Sequence, residues 1–282
     1  ELDAKHILVT SGNETWIDGS LGHRSEDAEY PRYEPGALTL STTVSIPRKV
    51  QELARVHHSS HPYHALSTFL GALRLTHVPK PSKRDLRHTV PTLLVTRYEY
   101  VNLFHTVTDW FNVYWTLQTY AITGPYQIVW MDGHASGSFD SIWKRLWTSS
   151  IDYVRSLPTE LRLDDVITVP VGYNSPLWHE RPNSVACTEF VDGFVESILR
   201  ALSISTTARP NQALLIDRRP YAAHPRNLDK HIDRVINNID EVERVLTSMG
   251  WHIQRVQLET MEFEEQVKAV RAATLMVGLH GA

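Results

Sequence analysis

Between Asn102 and Trp115 the chain reads NLFHTVTDWFNVYW, an aromatic-rich run in which His105 and Asp109 stand four residues apart. On a helix that spacing puts both on one face, with Asn112 one turn further on. A good N-cap, Asn102, precedes the run. The positive end of the helix dipole disfavours protonated imidazole near the first turn, so His105 is expected to be neutral. A neutral histidine and a carboxylate lining a cleft could take the proton of a hydroxyl. The same pattern also fits a solvated polar face with a local His–Asp contact. Phe104, Val107, Phe111 and Tyr114 form the opposite, apolar face, expected to be the buried one.

A cationic set follows further along, in LLIDRRPYAAHPRNLDKHIDRVIN, with Arg218, Arg219, Arg226 and Arg234. Arg218 and Arg219 come just after a strand-like run, where guanidinium forks could hold a diphosphate; a basic loop in water is the plainer reading. The terminal GLHGA pairs His280 with Gly281, a residue that lets backbone approach a ligand closely. His57, His61 and His64 have metal-like spacing, but Pro62 interrupts the run and neither an acid nor a cysteine lies near to complete a zinc set. A solvated loop is the default there. Asp-X-Asp, P-loop and Gly-X-Ser-X-Gly strings are all absent from the sequence.

The elements that must position these residues alternate. TLLVT (92–96) reads as a buried strand, and the His105 helix follows it. YQIVWMD (126–132) is a second strand, and 138–157 reads as a helix with Phe139, Ile142, Trp143, Leu146 and Trp147 in one stripe. DVITVPVGY (165–173) is a third strand. FVDGFVESILRAL follows as a helix turning Phe190, Phe194, Ile198 and Leu202 inward. After the polar stretch SISTTARPNQ the alternation restarts: ALLID, then IDEVERVLTSMG, WHIQRVQL, MEFEEQVKAVRAA and TLMVGLH. Strands alternating with helices build parallel sheets. The expected fold class is α/β, with two Rossmann-like domains facing a cleft, the second one incomplete. The expected boundaries are 1–91 for an N-terminal stem or part of an acceptor domain and 92–203 for the first domain. A linker occupies 204–212, and 213–282 is the first half of the second domain. Residues 1–91 are hard to read, with helix-like pieces near 48–56 and 64–74.

Composition narrows the class. The 282 residues carry 28 basic against 32 acidic side chains, net −4, which argues against a nucleic-acid surface. Apolar content of 42% with eight Trp fits sizeable cores. None of the apolar runs has the roughly 18–20 residues a membrane helix needs. A single cysteine, Cys187, rules out an intrachain disulfide. The chain starts at Glu1 and ends on a strand-like run at Ala282, so it is expected to be a piece of a longer protein.

Taken in order, several strings resemble glycosyltransferase family 61, and within it the plant-type branch that adds β-1,2-xylose to the N-glycan core. Thr96 to Trp110, TRYEYVNLFHTVTDW, matches that branch nearly residue for residue, Val101 apart. WMDGH is similar to the family's Val-Asp-Gly-His turn. DRRPYAAHPR resembles its Arg-Arg-x-x-Tyr-x-Ala-His-Pro-Arg string, with one residue fewer before the tyrosine, through Arg218, Arg219, Tyr221, His224, Pro225 and Arg226, and DRVIN places Arg234 and Asn237. VGLHGA matches Gly-x-His-Gly-Ala, after which the family continues with Gly-Leu-Thr. NIDEV, after Asn237, carries one residue more than the family's acidic run.

The resemblance implies a GT-B fold and transfer with inversion at the sugar carbon, without a tightly bound cofactor and without a metal requirement. It implies UDP-xylose as donor and an N-glycan or glycoprotein as acceptor. It also implies a Golgi-lumenal type II membrane protein, held by an anchor outside this chain, in which the Asn13 sequon is an acceptor. The site it implies has Asp109 as base, His105 orienting or replacing it, and Glu99 in reserve. Arg218, Arg219 and Arg234 would clamp the diphosphate, with His280 and Gly281 beside the nucleotide. Three alternatives stay open: another family 61 transferase using UDP-N-acetylglucosamine, a non-catalytic glycan-binding member, and a histidine-rich metal protein.

Overall fold

The computed structural model describes residues 9–10, 14–17, 38–41, 73–76, 87–147, 150–154, 161–163, 165–172, 175, 177, 188–224, 227–232 and 234–279. The chain separates into two compact units, Glu1–Phe194 and Val195–Ala282.

In the first unit, the strands β1 (Val9–Thr10), β2 (Glu14–Ile17), β3 (Leu38–Ser41), β4 (Leu73–Thr76) and β5 (Arg87–His88) precede β6 (Thr92–Val95). Then come α1 (Leu103–Thr119), β7 (Gln127–Trp130), α2 (Asp140–Trp147), β8 (Ile151–Tyr153), β9 (Leu161–Leu163), β10 (Val166–Thr168) and α3 (Thr188–Ala201), whose residues from Val195 onward belong to the second unit. One sheet has the order β1-β10-β6-β7-β8. Its strands from β10 to β8 are parallel, and β1 adds an antiparallel edge through Val9↔Ile167. β6 and β7 are buried along their whole lengths, as expected of central strands covered on both faces. A second sheet, β4-β3-β2-β9-β5, joins the N-terminal strands to β9 through Trp16↔Arg162 and Arg87↔Arg162. The described strands before β6 are therefore paired into the sheets of the first unit. The helix-like piece near 48–56 lies outside the described residues. Of that near 64–74, residues 73–74 belong to strand β4 and the rest lie outside.

The helix expected over 138–157 is shorter. α2 ends at Trp147, and Ile151–Tyr153 pairs with β7 in the register Ile128↔Ile151. Thr148, Ser149 and Ser150 are poor helix formers, and β-branched Ile151 with aromatic Tyr153 suits a strand. DVITV is consequently the fourth parallel strand of its sheet. An aromatic core fills the space under α1. Trp143 is edge-on to Trp110 at 6.2 Å and to Trp130 at 5.8 Å, and Phe111 is edge-on to Phe194 at 5.2 Å. Phe190 is less inward than its pattern suggests: it stacks on Trp115 at 5.4 Å with its outer face in solvent.

The second unit carries β11 (Gln212–Ile216), the hairpin β12 (Tyr221–His224) and β13 (Asn227–Ile232), α4 (Ile239–Ser248), β14 (His252–Val256), α5 (Phe263–Ala272) and β15 (Leu275–Val277). Its parallel sheet has the order β14-β11-β15, with Ala213, Leu214 and Leu215 of the central strand fully buried. α4 stops where the chain turns left-handed at Gly250, φ +89°, a conformation that glycine adopts without a Cβ clash.

Candidate functional site

In the first unit the chain leaves β6 towards β7 through α1, and later returns to the other side of β6 as β10. That reversal makes a topological switch point beyond the carboxyl ends of β6 and β10, the place where open α/β sheets bind ligands. The segments bordering it are 96–102, the start of α1, and 169–172.

Asn102 caps α1 as its sequence suggests, its Oδ1 accepting the N–H of Phe104 at 3.0 Å and of His105 at 3.4 Å. Glu99 folds back in the same turn, its carboxylate accepting the N–H groups of Tyr100 at 2.7 Å and Val101 at 3.1 Å. The Thr106 hydroxyl donates to the Glu99 carbonyl at 3.3 Å. His105 is half-buried, with Tyr98 edge-on at 4.6 Å and Phe104 at 5.6 Å. Burial holds its pKa below the usual histidine value, while the Glu99 charge opposes that shift. The neutral imidazole expected from the helix dipole is thus favoured, chiefly by desolvation.

The open polar face expected for α1 is corrected at the next turn. Asp109 is only 2% exposed and Asn112 is fully buried, because the segment after β10 lies across them. Asn112 Nδ2 donates to the carbonyls of Pro170 at 2.9 Å and Val171 at 3.0 Å. Asp109 Oδ2 accepts the Tyr98 N–H at 2.9 Å. Its Oδ1 faces Gly172, on which an added Cβ would stand 2.7 Å from that oxygen and 2.5 Å from Thr108 Oγ1. Burial pushes the Asp109 carboxyl well above the usual carboxylate range, further raised by Asp132 and opposed by the Tyr98 and Gly172 backbone and by Arg97. The expected apolar face holds at Phe111, which is fully buried, and is corrected at Phe104, which is 48% exposed.

Beside it lies an ion pair to which the sequence reading gave no role. Arg97 and Asp132, 1% and 0% exposed, meet at 2.8 Å, and Arg97 also reaches Asp140 at 3.0 Å. The guanidinium lies 3.9 Å from the centre of the Trp130 ring. Burial disfavours both charges, yet each holds the other: Arg97 stays above its usual pKa, and Asp132, with help from His134, stays below the usual carboxylate range. His134 Nε2 sits 3.1 Å from the Arg97 carbonyl, to which it must donate. Both residues sit inside the strings TRYEY and WMDGH; a charge ending a buried strand beside aromatics was the available signal.

In the second unit, Asp217 directly follows β11 and is buried. Arg219 reaches its Oδ2 at 2.7 Å and Arg255 of β14 at 2.8 Å. Arg255 also pairs with Asp240 at 2.6 Å and Glu243 at 3.4 Å. Burial raises the Asp217 carboxyl, but Arg255 and Arg219 more than offset it and hold it below the usual range. Arg218 is half-buried next to this cluster in sequence, and Arg234 is exposed after the hairpin. His280 and Gly281 lie outside the described residues, as do His57, His61 and His64. Among the described residues, no group of three His, Cys, Asp or Glu gathers in a way that could hold a metal ion, and no helix is long and apolar enough to cross a membrane.

The family model described as Glycosyltransferase 61 matches residues 39–282, most of the chain. The chain belongs to glycosyltransferase family 61. It is 28% identical, over 318 aligned positions, to "Beta-1,2-xylosyltransferase RCN11" of Oryza sativa subsp. japonica, covering all of this chain and 58% of that protein. It is also 28% identical, over 233 positions, to "Beta-1,2-xylosyltransferase" of Arabidopsis thaliana, covering 68% of this chain and 43% of that one. The chain therefore spans about half the length of the curated relatives it matches. The family 61 match takes in every parallel strand of the β10-β6-β7-β8 and β14-β11-β15 runs and both charge clusters described above.

Proposed function

We propose that the protein to which this chain belongs is an inverting glycosyltransferase that moves xylose from UDP-xylose, in β-1,2 linkage, to the core mannose of N-glycans. The observation that carries the reading is likeness to two proteins named as β-1,2-xylosyltransferases, one of them matched along the whole of this chain. The two parallel-sheet units fit a GT-B enzyme, with acceptor chemistry on the first and the nucleotide on the second. By the same resemblance it works in the Golgi lumen as a type II membrane protein.

In an inverting transfer the acceptor oxygen bonds to the anomeric carbon as the bond to UDP breaks. The electron pair leaves with UDP, and the acceptor proton passes to a base. We assign that base to His105, which is partly exposed beyond the carboxyl end of β6 and whose burial favours the neutral imidazole, with the Glu99 charge beside it favouring the imidazolium that forms. Negative charge growing on the diphosphate calls for fixed cations. Arg219, oriented by Asp217, fits that need, together with Arg218 and Arg234, and His280 and Gly281 complete the proposed nucleotide site. Neither a metal nor a tightly bound cofactor enters this scheme.

The test is UDP release by the full-length protein with UDP-xylose or UDP-N-acetylglucosamine, on an N-glycan core acceptor exposing terminal N-acetylglucosamine. Turnover with UDP-xylose alone supports the reading. Turnover with UDP-N-acetylglucosamine instead moves the protein to another activity of the family, and silence with both removes the transferase claim.

A further inference from the structure

We infer that Asp109 is a positioning residue rather than the proton acceptor: its carboxyl fixes Tyr98, and through Tyr98 the imidazole of His105. The inference rests on the reading of His105 as base, and deepens it.

The first argument is reach. A general base must come within hydrogen-bonding distance of the proton it takes. Asp109 Oδ2 is already committed to the Tyr98 N–H. Its Oδ1 is sealed by Gly172 so closely that a single added carbon on that residue would stand 2.7 Å away. That oxygen is itself buried, so a sugar hydroxyl has no open path to it. Asn112 keeps it closed, since its amide fastens the Pro170 and Val171 carbonyls immediately before Gly172.

The second argument is what the carboxyl does where it is. Tyr98 links two elements: its backbone N–H is held by Asp109, and its ring stands edge-on to His105 at 4.6 Å. Releasing that N–H frees the turn after β6 and with it the wall against which the imidazole rests. Loss of Asp109 therefore acts on His105 without either oxygen meeting substrate. The charged groups that bear on the carboxyl are Asp132, which opposes its ionisation, and Arg97, which favours it, with burial outweighing both. An uncharged acceptor at position 109 suffices for this work, and an asparagine supplies one of the same shape.

The deciding comparison is Asp109→Asn against Asp109→Ala in the full-length protein, with two readouts. The first needs no turnover: the NMR signal of the His105 imidazole, assigned by its loss in His105→Gln. We expect it to shift in the alanine variant and to stay in place in the asparagine variant. The second is kcat with UDP-xylose. Asparagine should recover most of what alanine loses, within roughly threefold of the parent, whereas removal of a general base costs about 10²–10⁴-fold. A loss of that size in Asp109→Asn with the His105 signal unmoved overturns the inference. So does an unmoved signal in Asp109→Ala, and so does an Asp109→Asn chain that fails to fold. If the parent protein transfers neither xylose nor N-acetylglucosamine, the proposed function fails, and the NMR comparison still decides whether Asp109 positions His105.

Discussion

Arg97 and Asp132 meet at 2.8 Å with almost none of either side chain exposed, and the same guanidinium covers the face of Trp130 at 3.9 Å. The pair ties the end of β6 to the end of β7, since the Arg97 N–H also donates to Asp132 Oδ2 at 2.9 Å. Removing one member leaves the other charged and buried. Asp132→Ala should therefore destabilise the fold by about 3–5 kcal/mol. Urea denaturation followed by tryptophan fluorescence measures it; a loss under about 1 kcal/mol, the size of an exposed pair, would mean that the pair is solvated.

Asp132 and Asp109 should bend the pH dependence of stability in opposite senses. The Asp132 pKa is depressed in the folded state, so its contribution is present above the unfolded value and is lost as pH falls through the folded one. The Asp109 pKa is raised. Its contribution is full below the unfolded value, about 3.9, and declines as pH rises towards the folded one. The slope from this one group is at most about 1.4 kcal/mol per pH unit. Asp109→Asn should remove that decline, so the variant gains on the parent between pH 4 and the folded pKa. Urea midpoints taken at intervals across that range check it, and parallel curves would mean that Asp109 ionises normally.

Gly172→Ala should cost about 1–3 kcal/mol through overpacking, because the new methyl carbon meets Thr108 Oγ1 at 2.5 Å and Asp109 Oδ1 at 2.7 Å. Thr108→Ala removes one of those atoms, so the double variant should recover part of the loss. Non-additivity between the two changes is the signature of contact. Strict additivity in a thermal-unfolding cycle would separate the two sites.

How much of this was legible follows from where the signals are local. α1, its Asn102 cap, the two central strands of the first unit and the strand–helix alternation of the second were all readable, because periodicity and capping depend on neighbours in sequence. β8 was missed because Ile151–Tyr153 continues an apparent helical stripe, and only pairing with β7 shows that the stripe stops at Trp147. The strands before β6 were unreadable for the same reason: β2 finds its partner β9 about 145 residues later in the chain, and such pairing leaves no local period. For the site, the spacing of His105, Asp109 and Asn112 put them on one face. It could not say that residues 169–172 would cover two of the three.

The second unit yields the last prediction, and it rests on the proposed diphosphate site. Asp217 Oδ2 receives Arg219 at 2.7 Å and Arg255 at 2.8 Å, but the two guanidiniums are not equivalent. Arg255 is shared among Asp217, Asp240 and Glu243, whereas Arg219 is 51% exposed and tethered through Asp217. An anion at the carboxyl end of β11 should therefore engage Arg219, with Arg255 neutralising the carboxylate cluster behind it. Arg219→Lys keeps the charge but loses the planar fork. It should raise the Kd for UDP roughly tenfold, about 1.4 kcal/mol, with stability changed by less than about 1 kcal/mol, as for an exposed pair. Arg255→Met should do the reverse, destabilising the unit while changing UDP affinity less than Arg219→Lys does. Calorimetric titration with UDP beside thermal unfolding separates the two roles. If Arg255→Met weakens UDP more than Arg219→Lys, the diphosphate is held from β14, and the string around Arg219 has a structural task instead.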